Sequence, residues 1–292
     1  MPNTQMKSGT TPPPDYEEIA KRLKAATIVP FFGAGASIAC GLPSGKALAE
    51  RLVAKATFPD DKGREDLALV ASYLVQKEDS LTLRAELREA LGVPAKPGRL
   101  HRCFARPELD ALRLFVTTNY DDLIETALES RAPWVVVDHG RPGNVWCRSP
   151  GGAWEEIEAK NLGYKITDKK RPIVLKLHGS LDREDPDNDS FLITEEHYVD
   201  FLGRPEGGQI PQMLATAMRE RSFLFLGYGL KDWNIRVLLH KLAQARGRTE
   251  KIRSWAIVRN PGLAEQELWR AQNVEMHDID LDAFVDGLEA FL

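Results

Sequence analysis

Short apolar runs recur along the chain without strict alternation, at Ile28–Phe32, Leu114–Thr117, Trp134–Val137, 173–177, 223–226 and Ser254–Val258. Strands buried on one face alternate apolar with polar residues; strands buried on both faces do not. Between these runs, apolar residues fall at helical spacing. Asp15 is placed to cap a helix that carries Ile19 and Leu23 on one face. Further helices are predicted over 46–56, 64–76 (Leu67, Val70, Leu74) and Ser80–Leu91 (Leu83, Leu87, Leu91). Others follow over 121–129, 209–220, 233–245 and 264–271, then a last strand near 274–277 and a helix from Leu281.

Strands interleaved with helices predict an α/β protein, a Rossmann-like doubly wound parallel sheet covered on both faces. Within it, residues 55–105 read as a helical insertion. Residues 139–171, rich in Gly, Pro, Trp and charge, read as an irregular flap or small β-rich excursion. Residues 1–14, ending in Pro12-Pro13-Pro14, read as a disordered tail, and 15–292 as a single domain.

Composition narrows the partners. The net charge of −4 gives no global basis for binding nucleic acid or an anionic membrane. Short basic clusters such as Lys169-Lys170-Arg171 read as solvated surface. Cys40, Cys103 and Cys147 are far apart and form no C-x-x-C pair, so neither a zinc ribbon nor a disulfide framework is expected, and no metal. No signal-like segment and no apolar run of about 20 residues is present, which predicts a cytoplasmic protein.

The first strand runs into Gly33-Ala34-Gly35-Ala36-Ser37, with another glycine at Gly41. Glycines at a strand's carboxyl end let backbone N–H groups approach a diphosphate. The spacing misses the G-x-G-x-x-G fingerprint, and Gly45-Lys46 lacks the partners of a P-loop. A tight turn needed only for packing is the competing reading. Three other apolar runs end in polar clusters: Thr118-Asn119-Tyr120-Asp121, His178-Gly179-Ser180, and Gly227-Tyr228-Gly229-Leu230-Lys231-Asp232. In a parallel sheet all four clusters share one edge, where such sheets bind ligands.

These segments resemble the sirtuin superfamily. Gly33-Ala34-Gly35-Ala36-Ser37 is similar to its G-A-G-x-S turn, Thr117-Thr118-Asn119-Tyr120-Asp121 to T-Q-N-I-D, and His178-Gly179 to the catalytic H-G. The order agrees over about residues 27–260, and the details are closest to a bacterial, zinc-free branch common in anti-phage defence. Two departures stand out. The four zinc-binding cysteines of the deacylases cannot be supplied, and Gly41-Leu42-Pro43 leads into Ser44-Gly45-Lys46 where they carry G-I-P-D-F-R.

The resemblance implies NAD as substrate, with Gly33, Ala34, Gly35, Ser37 and Thr118 around the diphosphate. Gly227, Asp232 and Asn260 would lie on the adenosine side, and Asn119, Asp121 and His178 would form the catalytic group. Asn119 orients a ribose hydroxyl or water, Asp121 adds negative potential, and His178 accepts a proton, as an imidazole of ordinary pKa about 6.5 does near neutrality. The expected activity is NAD glycohydrolysis to nicotinamide and ADP-ribose, restrained by self-assembly into a homo-oligomer or by a partner such as a HerA-family ATPase. A zinc-free deacylase or ADP-ribosyltransferase and a non-catalytic NAD or ADP-ribose sensor are the alternatives. Each residue also has a bland role: Asn119 as a turn or cap, Asp232 as a helix cap, His178 as packing.

Overall fold

The computed structural model describes residues 12–59, 61–138, 141–203, 210–229, 236–237, 239–240, 242 and 252–292. The expected helix over 233–245 and Asp232 fall outside these residues, wholly or in large part. Eleven strands occur among them: β1 Ile28–Phe32, β2 Leu114–Thr117, β3 Trp134–Val137, β4 Asn144–Arg148, β5 Trp154–Glu158, β6 Ile173–Lys176, β7 Gly179–Ser180, β8 Ser190–Phe191, β9 Ser222–Leu226, β10 Ser254–Val258 and β11 Val274–Asp278. Nine of them form one sheet, ordered β11-β10-β9-β1-β2-β6-β3-β4-β5. The seven from β11 to β3 run parallel, and β4 and β5 extend the sheet antiparallel.

Successive residues of the central strands enter different cores, as their unbroken apolar runs require. Val29, Phe31, Val116, Leu175 and Phe225 pack on one face. Ile28, Phe32, Phe115, Val174, Leu224 and Leu226 pack on the other. This is the doubly covered Rossmann-like sheet expected from the pattern.

The helices are α1 Tyr16–Lys24, α2 Gly35–Ile38, α3 Gly45–Ala56, α4 Leu67–Lys77, α5 Ser80–Leu91, α6 Arg99–Phe104, α7 Leu123–Ala127, α8 Leu162–Lys165, α9 Glu195–Gly203, α10 Gln212–Arg219, α11 Leu263–Arg270 and α12 Leu281–Glu289. Short polar side chains begin several of them: Asp15, Ser44, Asp66, Asp79 and Asp280 each accept a backbone amide of the first turn. Helix α7 is shorter than the pattern over 121–129 predicts. The Asp121 carboxylate takes the Leu123 amide at 3.1 Å, so the chain turns before the helix begins. No helix among the described residues is long and apolar enough to cross a membrane.

Helices α3, α4 and α5 bury Leu52, Val70, Leu74 and Leu87 in a core of their own, which also takes in Leu181 and Ile193 and touches Tyr120. Of the two readings of the 139–171 stretch, the structure agrees with the small β-rich excursion rather than the irregular flap. Residues 144–158 form the β4–β5 hairpin, Val145 and Cys147 entering the core while Trp146 and Trp154 lie on the other face. Trp154 donates to Asp182 Oδ2 at 2.8 Å, fastening the hairpin to the loop after β7. Strand β5 is the sheet's edge and carries Glu155, Glu156 and Glu158.

The sheet reverses its direction of growth at β1, which lies between β2 and β9. There the two turns touch by backbone alone. Gly35 N donates to Gly227 O at 2.8 Å, and a Cβ on Gly35 would stand 2.6 Å from that same oxygen. Gly227 has φ +65°, and a Cβ there would meet Ala36 N at 2.4 Å. Gly229 faces open space. Replacing Gly227 by Ala therefore costs about 3 kcal/mol of stability through overpacking and strain, whereas Gly229→Ala stays within about 0.5 kcal/mol. Urea unfolding of both variants checks this; equal midpoints would refute it.

Candidate active site

One register line crosses the parallel sheet. His277, Ile257, Leu226, Phe32, Thr117, Lys176 and Val137 are successive partners from β11 to β3. The segments leaving these strands therefore emerge at one level: Gly227 after β9, Gly33 after β1, Thr118-Asn119 after β2, Leu177-His178 after β6. The described residues of the four sequence clusters meet at this edge, as a parallel arrangement requires.

Asn119 sits in the centre and is only 8% exposed. Its Nδ2 donates to Gly33 O and to Ser37 Oγ, both at 3.0 Å. A backbone carbonyl only accepts, so the amide's orientation is fixed. The Ser37 hydroxyl in turn donates a hydrogen bond to Asp121 Oδ2 at 2.8 Å. Asp121 Oδ1 holds the Leu123 amide. The Asn119 amide N–H donates to Thr117 Oγ1 at 2.9 Å, and that hydroxyl donates to Phe32 O at 3.1 Å. Two strands, the Gly-rich turn and the Asn119 turn are joined by one polar chain. It leaves Asn119 Oδ1 buried and without a hydrogen-bond partner among the described residues. An acceptor in that state invites an O–H donor from a ligand or water.

His178 is buried, with its ring edge-to-face against Tyr198 of α9 at 5.5 Å. Its carbonyl accepts from Leu192 N at 2.8 Å, and Leu192 O accepts from the Tyr120 hydroxyl at 3.0 Å. The next residue must be glycine: Gly179 has φ +99°, and a Cβ would lie 2.1 Å from Ser190 O across the β7–β8 pair. The following loop is held by Asp182, whose carboxylate accepts from the Glu184 amide, Trp154 and Asn188. Arg88 of α5 adds an ion pair to Asp189 at 2.7 Å.

Beneath the Asn119 turn lies a charge pair that sequence reasoning missed. Lys176 of β6, fully buried, donates to Glu125 Oε1 of α7 at 2.8 Å, to Tyr120 O at 3.3 Å and to Asp121 O. Burial pushes the Glu125 carboxyl up, against the pull of the adjacent Lys176 ammonium. The signal was present as a charged residue inside an apolar run, two positions before His178. Asp138, buried at the end of β3 on the same level, was also missed.

A cleft of about 390 Å³ opens past the ends of β1, β9, β10 and β11, a size suited to a small ligand. Gly35, Gly227, Tyr228, Val258, Arg259 and Asp280 are among its lining residues. Of the residues expected around a diphosphate Gly35 lines it, and of those expected on the adenosine side Gly227 does. Gly33 is buried behind it, where a Cβ would strike Tyr228 at 2.6 Å. Ala34 is exposed and Thr118 half-buried. The Ser37 hydroxyl is spent on Asn119 and Asp121, and both Asp121 oxygens are engaged internally, so these two hold the site's shape. Asn260 is exposed beside Arg259, with its amide on Asp278 Oδ1 at 2.8 Å. Asn119, Asp121 and His178 do not line this cleft. Asp232 lies outside the described residues.

A parallel, doubly covered sheet with its polar clusters gathered at the switch of strand order defines a Rossmann-type α/β protein. The chain belongs to the SIR2-like domain family, which residues 113–277 match, more than half of its 292 residues. Among curated relatives, the NAD(+) hydrolase ThsA of Acinetobacter baumannii (strain 532279) is 25% identical over 226 residues, 77% of this chain and 41% of that protein. The NAD(+) hydrolase ThsA of Cytobacillus dafuensis is 25% identical over 234 residues, 80% of this chain and 41% of the relative. The chain spans about two fifths of the length of both relatives. Among solved structures, a Sir2 homolog–NAD complex is 18% identical with TM-score 0.47, covering 97% of this chain and 96% of that one. A Sir2 enzyme structure is 15% identical with TM-score 0.42, covering 94% and 97%.

One buried imidazole flanks the site from α6. His101 stacks on Phe32 at 5.9 Å, and its Nδ1 accepts from Gly98 N at 3.3 Å. Burial holds its pKa below the ordinary value, against the opposing charge of Asp121. The unfolded chain takes up a proton near pH 6.5 that folded His101 refuses, so stability is lost as pH falls below about 6.5. His101→Asn keeps an acceptor and removes the titration. Melting temperatures followed from about pH 7.5 to 5.5 fall less steeply for this variant than for the parent, given the ordinary imidazole value; parallel slopes would reject the assignment.

Proposed function

We propose that this chain hydrolyses NAD at the nicotinamide–ribose bond, giving nicotinamide and ADP-ribose. The observation that carries the reading is the buried, unpartnered Asn119 Oδ1, held by a glycine turn whose Gly35 lines the cleft. Its amide N–H groups are already bound, so only the acceptor remains free for a ligand. An acceptor of that kind orients a ribose hydroxyl or a water molecule, whichever presents an O–H. Both ThsA relatives carry the name NAD(+) hydrolase, which supports the same activity here.

The step is a substitution at the ribose C1′. The C1′–N bond breaks with its electron pair going to the nicotinamide nitrogen, which leaves neutral. A C1′–O bond forms from water, and the water's proton passes to His178 and then to solvent. Fixed dipoles stabilise the positive charge that develops on the sugar, because they need no reorganisation when it appears. Asn119 supplies one such dipole, and the Asp121 carboxylate lies one hydroxyl away through Ser37. Gly35, whose own N–H is engaged by Gly227, leaves room for the diphosphate by lacking a side chain, with Gly33, Ala34 and Thr118 beside it and Gly227, Asn260 and Asp232 toward the adenosine. Water rather than a protein lysine is the acceptor, because the cysteines of a zinc-bound substrate module are missing from the sequence. No metal enters the scheme.

An NAD hydrolase depletes its own cell, so the activity needs restraint. We place it in the cytoplasm as a regulated effector of anti-phage defence, controlled by self-assembly or by a HerA-family ATPase. Incubating the purified protein with NAD, alone and with such a partner, and separating products by chromatography tests the reading. Equal amounts of nicotinamide and ADP-ribose are expected. His178→Ala and Asn119→Ala each lower turnover by about 100-fold, the usual contribution of a proton acceptor or a fixed dipole. Intact NAD under both conditions, or turnover indifferent to both substitutions, would sink the proposal.

A further inference from the structure

We propose that Lys176 is a positioning residue for this site, a buried cation that clamps the Asn119 turn and the His178 segment to each other. An ammonium has three donors and no acceptor. Here three acceptors meet it: Glu125 Oε1, Tyr120 O and Asp121 O. Two of the three are backbone carbonyls of the turn that presents Asn119. Tyr120 O is gripped a second time, by Leu181 N at 2.9 Å. Lys176 stands two residues before His178 and Leu181 three after it, so the chain on both sides of the imidazole holds one carbonyl next to Asn119.

A buried ion pair is a poor source of stability. Desolvation offsets its attraction, and apolar residues of similar volume commonly serve as well. The contact to Glu125 neutralises the lysine; the contacts to Tyr120 and Asp121 set geometry. The Asn119 Oδ1 position is then fixed from below by charge, and from the side by Gly33 and Ser37. A misplacement of about 1 Å between reacting groups costs on the order of 100-fold in rate. Lys176 prevents such a displacement without touching substrate.

Three variants separate the roles. Glu125→Gln keeps both carbonyl contacts but strands the cation, so the melting temperature drops while kcat of the folded protein stays within about twofold. Lys176→Met lowers kcat by about 100-fold with KM little changed, because positioning rather than binding is lost. Lys176→Met combined with Glu125→Leu restores the melting temperature and leaves kcat low. Hydrogen exchange at the Leu123 and Leu181 amides rises in both lysine variants and not in Glu125→Gln. Full turnover and parental exchange in the double variant would overturn the proposal, as would equal loss of kcat in Glu125→Gln and Lys176→Met. This inference rests on the hydrolase reading for its kinetic arm only. Should the parent leave NAD intact, that reading fails, and the exchange measurements alone decide for or against the clamp.

Discussion

Gly35 N reaches Gly227 O at 2.8 Å, and no side chain fits between the two turns. This backbone contact sits where the strand order reverses, so it joins the half of the sheet built from β2 onward to the half built from β9 onward. Ser37, two residues past Gly35, is thereby brought under Asn119 and Asp121. A methyl group at any of Gly33, Gly35 or Gly227 would push the turns apart and pull that hydroxyl from its partners. The rest of the edge hangs on this approach, because each later element bonds to the one before it.

The layering of polar groups follows the same logic. Hydroxyls of Thr117 and Ser37 each accept from one side and donate to the other, so neither strand end carries an unmet backbone group next to the site. Two ion pairs lie further out: Glu125–Lys176 under the turn and Arg88–Asp189 beyond it. Asn119 is therefore held by neutral groups, with the Asp121 carboxylate one hydroxyl away, while the cleft itself carries charge at Arg259 and Asp280.

Much of this was legible in the sequence, since the information was local. Unbroken apolar runs identify strands buried on two faces, and the polar clusters that end them fall on one edge once the sheet is parallel. The motif resemblance to the sirtuin superfamily led to the family the chain belongs to. The roles of the glycines were only half legible. They do open the turn, yet Gly33 and Gly35 are needed first for the approach to residues 227–228, a contact nearly two hundred positions away in the chain. Lys176 was hidden because a strand run tolerates one charged residue on paper; its partners Tyr120, Asp121 and Glu125 are brought to it by the β2–β6 pairing. The β4–β5 hairpin was obscured by Trp146 and Trp154, which break alternation because Asp182 and Arg148, and not solvent, receive Trp154.

That hairpin also decides how the sheet ends. Its outer strand, Trp154–Glu158, is the sheet's edge among the described residues, the kind of edge on which a second copy can add itself. Three glutamates in five positions line this edge, and Arg141, Lys160 and Lys165 reach them from within the same chain. Two identical edges brought together would set like carboxylates opposite one another and compete for cations already engaged. Runaway strand addition is thus opposed at β5 by composition alone.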